Sequence, residues 1–502
     1  MKKSTFIFVG LLLCGILCGC SEKHKITKIE LIDKIKGGWA GQIIGCAYGG
    51  PTEFKYVNKI IPENVKLGYP ADKPLVEKSF DGLYDDVYMD ATFVDVFEKY
   101  GLNAPRKEFA KAVAEANYEL WCANKAARFE YLDGYNLGNP TSWEINPHSN
   151  DIDFQIEADF AGLMSPAMPQ NAIDVCNTIG RIFNSGEGYY CGVYVATLYS
   201  LAFKTTNMQN LVEDALIAIP EKSISYNIVK EILTEYKKDK TNWIKAWNVV
   251  KKYFEKPCKT YAKQTLYAPY NLGYVVIGLL YGNGNFEKTI DISTRCGLDS
   301  DCNPATAGGI WATAFGYNKI PEKFRNPLQL SENKLMFGTN YTPAKLYDIS
   351  VKQALQVIEK KCGKIDGENI FIPVQKIKSV EYETPMPNYK ITKREQISLK
   401  DNESKEIKFK AKAVEVFVYH YSTKNAPYAK AKKINGEIAN VEVSLNGKPV
   451  RNAKFFGDLH RVYRKYAFAD FTLPDGENTI NLTFKKSNKL AADFFCEIRY
   501  YE

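Results

Sequence analysis

The stretch CGLDSDCNPATAGGIW, residues 296–311, combines an acidic turn with the start of a helix. Pro304 suits the first helical turn, and the small residues that follow it allow a neighbouring backbone to pack closely. One residue, Ser300, separates Asp299 from Asp301, so a turn places both carboxylates on the same side. A helix cap needs only one aspartate. Two aspartates on a loop flanked by glycine therefore favour a site for a divalent cation.

A second segment, residues 37–54, reads GGWAGQIIGCAYGGPTEF and carries small residues along one helix face. The Gly49-Gly50-Pro51 break then leaves Glu53 on a loop. Taken alone, this segment is more consistent with a Gly-rich helix in a tight bundle and with a solvent-exposed Glu53 than with a functional site.

The third segment, residues 83–89, reads LYDDVYM and places Asp85 and Asp86 where the apolar spacing of Met89, Phe93 and Phe97 begins. Adjacent aspartates at a helix N-terminus are stabilised by the free N–H groups and the helix dipole, so capping alone accounts for them. The functional alternative is that the two carboxylates supply hard oxygen ligands to Mg²⁺ or Mn²⁺.

The region around these segments has the apolar period of helices rather than of strands. Residues spaced by three or four recur in the series Ile32, Ile35, Trp39, Ile43 and in the series Trp243, Trp247, Val250, Phe254. No fixed-period repeat and no alternating strand–helix units interrupt the pattern. We therefore predict one large all-α domain over residues 28–362.

The last hundred residues alternate with a period of two. Runs at 414–421, 441–445, 466–471 and 480–484 are separated by Gly-containing turns such as Asn446-Gly447. This pattern predicts a small all-β sandwich over residues 401–502, preceded by a linker with early strands over 363–400. Such an appended module binds carbohydrate in some exported enzymes and serves only for packing or spacing in others, and both alternatives stay open.

The N-terminus has a basic start, an apolar run that is too short to span a bilayer, and the sequence Leu17-Cys18-Gly19-Cys20. We interpret residues 1–19 as a lipoprotein signal peptide, Cys20 as the lipidated residue and residues 20–27 as a tether. An ordinary cleaved signal peptide is the alternative. The prediction is a protein of the cell envelope that meets the membrane only through its N-terminal lipid.

Composition excludes several other classes of protein. The chain of 502 residues is 45% hydrophobic and 25% charged, which is typical of a globular protein, and its net charge of +8 is spread along the chain. We therefore expect no nucleic-acid partner. The four histidines show no zinc-ligand spacing and the twelve cysteines form no CxxC pair, so neither a zinc hydrolase nor a thioredoxin-type site is expected.

The three acidic segments, in this order, resemble the ADP-ribosylglycohydrolase family over about Lys34 to Pro321. The resemblance implies an all-α catalytic domain whose cleft holds two Mg²⁺ ions and which hydrolyses a glycosidic bond at the anomeric carbon of an ADP-ribosyl group. It assigns metal binding to Asp85, Asp86, Asp299 and Asp301, with a catalytic part for Asp85 and Asp86 as well. It further implies that Glu53 approaches the metals and the substrate as a catalytic residue, which would orient the substrate or assist proton transfer.

Three positions depart from the family pattern. Tyr84 and Cys302 stand where the family has threonines that accompany the metal ligands, and Cys46 stands where it has an aspartate. A phenol oxygen can still reach a metal, whereas a thiol is a poor partner for Mg²⁺. The resemblance thus retains the carboxylates of the metal site and loses its hydroxyl groups. Tyr84 and Cys302 stay in the candidate metal-binding set because of their positions in the motif.

Residues 151–162, DIDFQIEADFAG, are similar to a stretch of divergent bacterial members of the family. Gln155 and Asp159 are at helical spacing and are candidates for lining the cleft and binding substrate, with a solvated helix face as the alternative. His148 is a further candidate for substrate contact, with a structural role as its alternative.

These observations together predict a metal-dependent glycoside hydrolase that acts outside the cytoplasm on an N- or O-glycosidic bond of an ADP-ribosyl group or a glycan. Its cofactor would be Mg²⁺, with Mn²⁺ as a substitute. The alternative is a non-catalytic glycan-binding surface lipoprotein built on a decayed hydrolase domain. The changes at Tyr84, Cys46 and Cys302 favour the alternative, and the four retained aspartates favour the enzyme.

Overall fold

The computed structural model describes residues 22–69, 74–75, 83–255, 264–385, 389–420, 436–456, 465–487 and 494–502. The predicted signal peptide and Cys20 lie outside the described residues. The described chain divides into a helical part, which carries the three acidic segments, and a C-terminal part built of antiparallel sheets.

The helical part has these α-helices among its described residues: α1 (Lys28–Gly49), α2 (Asp85–Tyr100), α3 (Arg106–Glu115), α4 (Cys122–Leu132), α5 (Asp153–Ile156), α6 (Asp159–Leu163), α7 (Pro169–Ile179), α8 (Gly186–Ala202), α9 (Met208–Ala215), α10 (Ile224–Lys238), α11 (Trp243–Glu255), α12 (Ala268–Tyr281), α13 (Phe286–Arg295), α14 (Cys302–Phe315), α15 (Glu322–Gln329) and α16 (Pro343–Lys360). The expected helical architecture of this region is therefore confirmed.

The apolar spacing identified in the sequence marks the buried faces of these helices. Met89, Phe93 and Phe97 of α2 are buried, as are Ile35 and Trp39 of α1. One residue of the predicted α1 series differs, because Ile32 is 40% exposed and the buried face runs through Leu31 instead. The spacing of four from Leu31 to Ile35 and on to Trp39 keeps these side chains on one face.

Helices α1 and α14 cross at unusually short range, and glycine makes this possible. A Cβ atom built on Gly41 would lie 2.3 Å from the carbonyl oxygen of Gly308, and one on Gly45 would lie 2.3 Å from that of Pro304. Only a residue without a side chain allows two backbones to approach so closely. The small residues of both segments therefore hold the end of α1 against the start of α14.

A small antiparallel sheet joins the two ends of the helical part. It contains β1 (Lys23–Thr27), β2 (Lys364–Asp366) and β3 (Asn369–Pro373) in the order β1-β3-β2. Most of the segment predicted to be a tether thus forms a paired strand, in which Ile26 lies opposite Ile370. Both isoleucines are buried, so this pairing adds apolar packing to the helical core.

The C-terminal part consists of two four-stranded antiparallel sheets. Their strands are β4 (Ile391–Leu399), β5 (Ser404–Phe409), β6 (Ala413–His420), β7 (Glu437–Leu445), β8 (Lys448–Phe456), β9 (Lys465–Asp470), β10 (Asn478–Lys486) and β11 (Phe494–Tyr501), in the orders β5-β10-β7-β8 and β4-β11-β6-β9. The four runs identified in the sequence overlap β6, β7, β9 and β10. Side chains of both sheets share one apolar cluster, and the rings of Phe484 and Phe494 stack across it with centroids 5.1 Å apart.

The sheets contact the helical part at a few specific positions. The guanidinium Nε of Arg451 lies 3.4 Å from Oδ2 of Asp133, and the rings of Trp143 and Phe471 meet edge to face at 5.3 Å. Within the part of the chain that the structure describes, none of the helices combines the length and the apolar character that a bilayer crossing requires.

Candidate active site and metal centre

The close packing of α1 on α14 brings the Glu53 loop against the Asp299–Asp301 turn. The hydroxyls of Thr52 and Ser300 are 2.9 Å apart, and the backbone N–H of Phe54 donates to the carbonyl of Leu298 at 2.9 Å. Leu298 has a positive φ of 58°, a conformation that non-glycine residues adopt mainly where the surroundings impose it. The turn is therefore held in a fixed shape beside Glu53.

The start of α2 completes this cluster of carboxylates. Ligating atoms of Asp85, Asp86 and Cys302 all lie within 4.8 Å of one another, and so do those of Asp299, Asp301 and Cys302. The two groups share the Cys302 sulfur. Three segments that are far apart in the sequence thus converge on one acidic centre.

Crowding of like charges away from water raises the pKa of every carboxyl in this centre. Burial is the largest cause at each position. It raises the pKa of Glu53 to about 8, with Asp301 as the second cause, and that of Asp299 to about 7. The pKa values of Asp85, Asp86 and Asp301 lie well above their ordinary range for the same reason, and neighbouring aspartates raise them further.

The donor atoms of the centre fit a hard divalent cation. Both carboxylate oxygens of Asp86, and one oxygen each of Asp299 and Asp301, are buried without a hydrogen-bond partner among the described residues. A bound cation would satisfy these oxygens and offset the repulsion between the carboxylates. The thiol of Cys302 is a softer donor that suits Mg²⁺ poorly.

A cavity of about 260 Å³ opens directly onto this centre. Carboxylates and apolar side chains both contribute to its lining, which consists of Glu53, Phe54, Asp85, Tyr88, Met89, Leu120, Trp121, Cys122, Asn124, Ile152, Asp153, Ile156, Glu157, Leu266, Asp299 and Cys302. The indole of Trp121 is 41% exposed and offers a flat apolar surface next to the acidic groups. A pocket with one acidic and one apolar side suits a ligand that has both hydroxyl groups and a ring face.

Tyr84 and Cys46 lie beside the centre and differ in what they contact. The Tyr84 hydroxyl donates to the carbonyl of Leu75 at 2.6 Å, so its proton is directed to the backbone. Cys46 is fully buried on α1, where burial and the charge of Asp86 raise the pKa of its thiol. It therefore occupies space next to the carboxylates as a small neutral side chain.

The residues proposed for substrate binding lie outside the set that lines the cavity. Asp159 is buried, and its Oδ2 accepts hydrogen bonds from Gln42 at 2.9 Å and from the Tyr199 hydroxyl at 2.6 Å. Gln155 is buried as well. Gln155 and Asp159 do not lie on one continuous helix, because α5 ends at Ile156 and α6 begins at Asp159. The helical spacing between them therefore does not place their side chains on one face.

His148 contacts another side chain of its own loop. Its Nδ1 lies 2.9 Å from Oδ2 of Asp151, and the histidine side chain is 23% exposed. This pair lies next to Cys122, which is one of the residues that line the cavity.

Two lining carboxylates were not selected from the sequence. Asp153 and Glu157 are buried, and burial raises the pKa of Asp153 to about 7 and that of Glu157 well above its ordinary range. The backbone N–H of Asn124 donates to Asp153 at 3.1 Å, and its side-chain amide donates to Glu157. The many acidic residues in 151–159 were the feature of the sequence that could have indicated them. Their spacing alone does not tell which of them line the pocket and which are only buried.

The fold and the site define a helical protein with an acidic pocket beside side chains that could hold a metal ion. The family model described as ADP-ribosylglycohydrolase matches residues 27–350, well over half of the chain. The chain therefore belongs to the ADP-ribosylglycohydrolase family.

Other comparisons add little detail. One solved structure, titled "ADP-ribosylglycohydrolase-related protein complex", is similar over 65% of this chain and 99% of its own, at 13% sequence identity and a TM-score of 0.43. No curated protein matches the chain.

Proposed function

We propose that this protein is a metal-dependent glycoside hydrolase. The observation that carries the proposal is the set of buried carboxylate oxygens without partners in the acidic centre, on Asp86, Asp299 and Asp301, of which Asp299 also lines the cavity. Buried charges in proteins are paired or coordinate metals, so unpartnered oxygens at this density indicate a cation site. Membership of the ADP-ribosylglycohydrolase family supports hydrolysis of a glycosidic bond.

The residues that would hold the cations are Asp85, Asp86, Asp299 and Asp301, and we propose Mg²⁺, as a pair of ions, with Mn²⁺ as a substitute. When bound, two such ions supply positive charge that orients substrate hydroxyls and makes a water more acidic. Cys302 belongs to both ligand groups, and we expect its soft sulfur to leave one position to water.

The chain itself supplies the binding and positioning of the substrate. Glu53 is half-buried at the cavity lining, where it can accept hydrogen bonds from sugar hydroxyls or exchange a proton with the leaving group. Trp121 and Leu120 provide an apolar surface for a sugar or base ring.

The proposed substrate is a small molecule or a glycan whose N- or O-glycosidic bond, to an ADP-ribosyl group or another sugar, is cleaved. We propose that the reaction takes place in the cell envelope, with the protein held by a lipid on Cys20. The two C-terminal sheets, which share one apolar cluster, are proposed to form a β-sandwich that accompanies the enzyme.

The test is a hydrolysis screen over ADP-ribosyl compounds and oligosaccharides, run with Mg²⁺ or Mn²⁺ and with a chelator. We expect release of a sugar in the presence of metal and loss of that activity with chelator. Asp475→Asn, which changes an exposed aspartate of the sheets, serves as the matched control for Asp301→Asn. Activity that survives both the chelator and Asp301→Asn would contradict the metal mechanism.

A second candidate function is non-catalytic glycan binding on a decayed hydrolase domain. Two observations favour it. The Tyr84 hydroxyl donates its hydrogen bond to the Leu75 carbonyl, and the centre contains the thiol of Cys302. Calorimetry with Mg²⁺, Mn²⁺ and Ca²⁺ separates the two candidates. A decayed centre binds none of these ions at micromolar concentration, whereas the enzyme binds at least one.

A further inference from the structure

A second group of ligating side chains lies at the cavity, apart from the carboxylate centre. It consists of Cys122, the first residue of α4, together with His148 and Asp151 of the loop before α5. The Cys122 sulfur, an imidazole nitrogen and a carboxylate oxygen all lie within 4.8 Å of one another, and His148 Nδ1 is 2.9 Å from Asp151 Oδ2. Three donor types thus converge on one point.

The chemistry of these donors differs from that of the carboxylate centre. A thiolate, an imidazole and a single carboxylate form a mixed sulfur, nitrogen and oxygen set, which suits Zn²⁺ and related transition metals and not Mg²⁺. Three protein ligands also leave the fourth tetrahedral position open, as in zinc sites that bind a water or a substrate atom.

A buried asparagine fixes the two ligand segments relative to each other. The side-chain amide of Asn146 donates to the carbonyl of Ala123 at 2.9 Å and to that of Phe183 at 3.0 Å, and its oxygen accepts from the backbone N–H of His148 at 3.0 Å. One side chain therefore ties the residue after Cys122 to the backbone of His148. Support of this kind holds ligands in place before a metal arrives.

A second asparagine fixes the other end of the loop. The Asn184 amide donates to the carbonyl of Ser149 at 2.8 Å and to that of Asp151 at 2.9 Å. Asn184 is fully buried. The ligand loop is thus anchored by buried hydrogen bonds on both sides of His148.

We propose that Cys122, His148 and Asp151 bind one Zn²⁺ ion at the side of the cavity, as a site separate from the Mg²⁺ centre. Because Cys122 lines the cavity, an ion bound to its sulfur would lie close to the space for substrate. This Zn²⁺ ion would bind a water molecule or a substrate oxygen from that side. The proposal concerns metal binding and does not depend on which glycosidic bond is cleaved.

The test uses Co²⁺ as a spectroscopic probe for Zn²⁺ in the full-length protein. Metal-free protein is supplied with excess Mg²⁺ to fill the oxygen-rich centre, and Co²⁺ is then titrated. We expect one equivalent to produce the near-ultraviolet charge-transfer band of thiolate bound to Co²⁺, and one equivalent of Zn²⁺ to abolish that band. Thermal unfolding of each variant checks that it is folded.

Variants decide which cysteine is responsible. Cys122→Ser and His148→Ala are expected to weaken Co²⁺ binding at least about tenfold, with loss of the band for Cys122→Ser. Cys302→Ser and Asp86→Asn are expected to retain the band, even if they abolish hydrolysis. A wild-type protein without the band, or a band that Cys302→Ser removes and Cys122→Ser leaves, would overturn the proposal.

Discussion

The helical part of this protein buries many carboxylates, whereas the sheet part buries one among its described residues. Among the described residues, the buried carboxylates of the helical part are Asp86, Asp90, Glu119, Glu130, Asp151, Asp153, Glu157, Asp159, Asp299 and Asp301. The described residues of the sheets bury one acid, Glu415, whose carboxylate accepts from the Tyr501 hydroxyl at 2.6 Å and lies 3.7 Å from Arg499.

This difference suggests that the sheet part serves mainly for packing and that the helical part contains the binding site. The apolar cluster between the sheets consists mainly of Val, Ile, Leu and Phe side chains, and its nearby acid has partners of its own. In the helical part, oxygens of Asp86, Asp299 and Asp301 have no described hydrogen-bond partner. Unsatisfied buried oxygens cost stability, so their concentration in one acidic centre indicates a requirement for a ligand and not for folding.

The largest expected effect is that of Asp86→Asn on metal binding. Removing one negative ligand from the centre should weaken Mg²⁺ binding by more than about 100-fold. Mutating a residue that only supports a metal ligand already weakens metal binding by about 10- to 100-fold, and losing the ligand itself has a larger effect. Calorimetry measures the change in affinity, and the metal-free protein should keep or gain thermal stability because one repulsive charge is gone. Glu415→Gln in the sheets should leave Mg²⁺ affinity unchanged. Equal affinity in the Asp86→Asn and wild-type proteins would break the contrast between the two parts.

The second effect is that of Gly41→Ala on the stability of the helical part. The added methyl group would lie 2.3 Å from the Gly308 carbonyl oxygen, so α1 and α14 must separate, at a cost of about 3 kcal/mol. Denaturant unfolding measures the loss. Gly367→Ala is the control, because its Cβ would have open space and only its positive φ opposes the change, at about 1 kcal/mol. A smaller loss for Gly41→Ala than for Gly367→Ala would contradict the close crossing.

The third effect is a pH dependence of stability that arises from Glu130. Burial raises its pKa from the ordinary 4.5 to about 8 in the folded protein. As pH rises from 4.5 to 8, the carboxyl ionises in the unfolded chain but stays protonated in the folded one. This contribution to stability is therefore complete below pH 4.5 and lost by pH 8.

Glu130→Gln tests this dependence, since glutamine keeps the shape without the ionisation. The free energy of unfolding is compared between variant and wild type from pH 5 to pH 8. The other titratable groups are the same in both proteins, so their contributions to the pH dependence cancel in the difference. We expect the variant to lose less stability than the wild type as pH rises. Parallel curves would show that Glu130 does not hold its proton in the folded state.

The smallest expected effect is that of Tyr501→Phe in the sheets. It removes the hydroxyl that donates to the buried carboxylate of Glu415, at a cost of about 1.5 kcal/mol. Thermal unfolding reports this loss, and Mg²⁺ affinity should be unchanged. A change in metal affinity here would mean that the two parts do not divide packing and binding as described.

Local spacing was sufficient for much of the fold. The buried face of α2 follows the predicted spacing of Met89, Phe93 and Phe97, and the alternating runs of the C-terminal region fall on strands. These features depend on neighbours in sequence, since helices and strands repeat at 3.6 and 2 residues. The same reasoning placed Gln155 and Asp159 at helical spacing, but a break between α5 and α6 intervenes.

The sequence by itself determined that acidic residues lie near helix ends and that small residues allow close helix packing. Only the tertiary structure decided that Asp153 and Glu157 line the cavity, and that His148 meets Cys122 although the sequence shows no zinc-ligand spacing. The physical reason is that spacing reports the direction of side chains along one element. Contacts between distant segments depend on how whole elements pack, here on α1 against α14 and on buried asparagines that hold a loop in place.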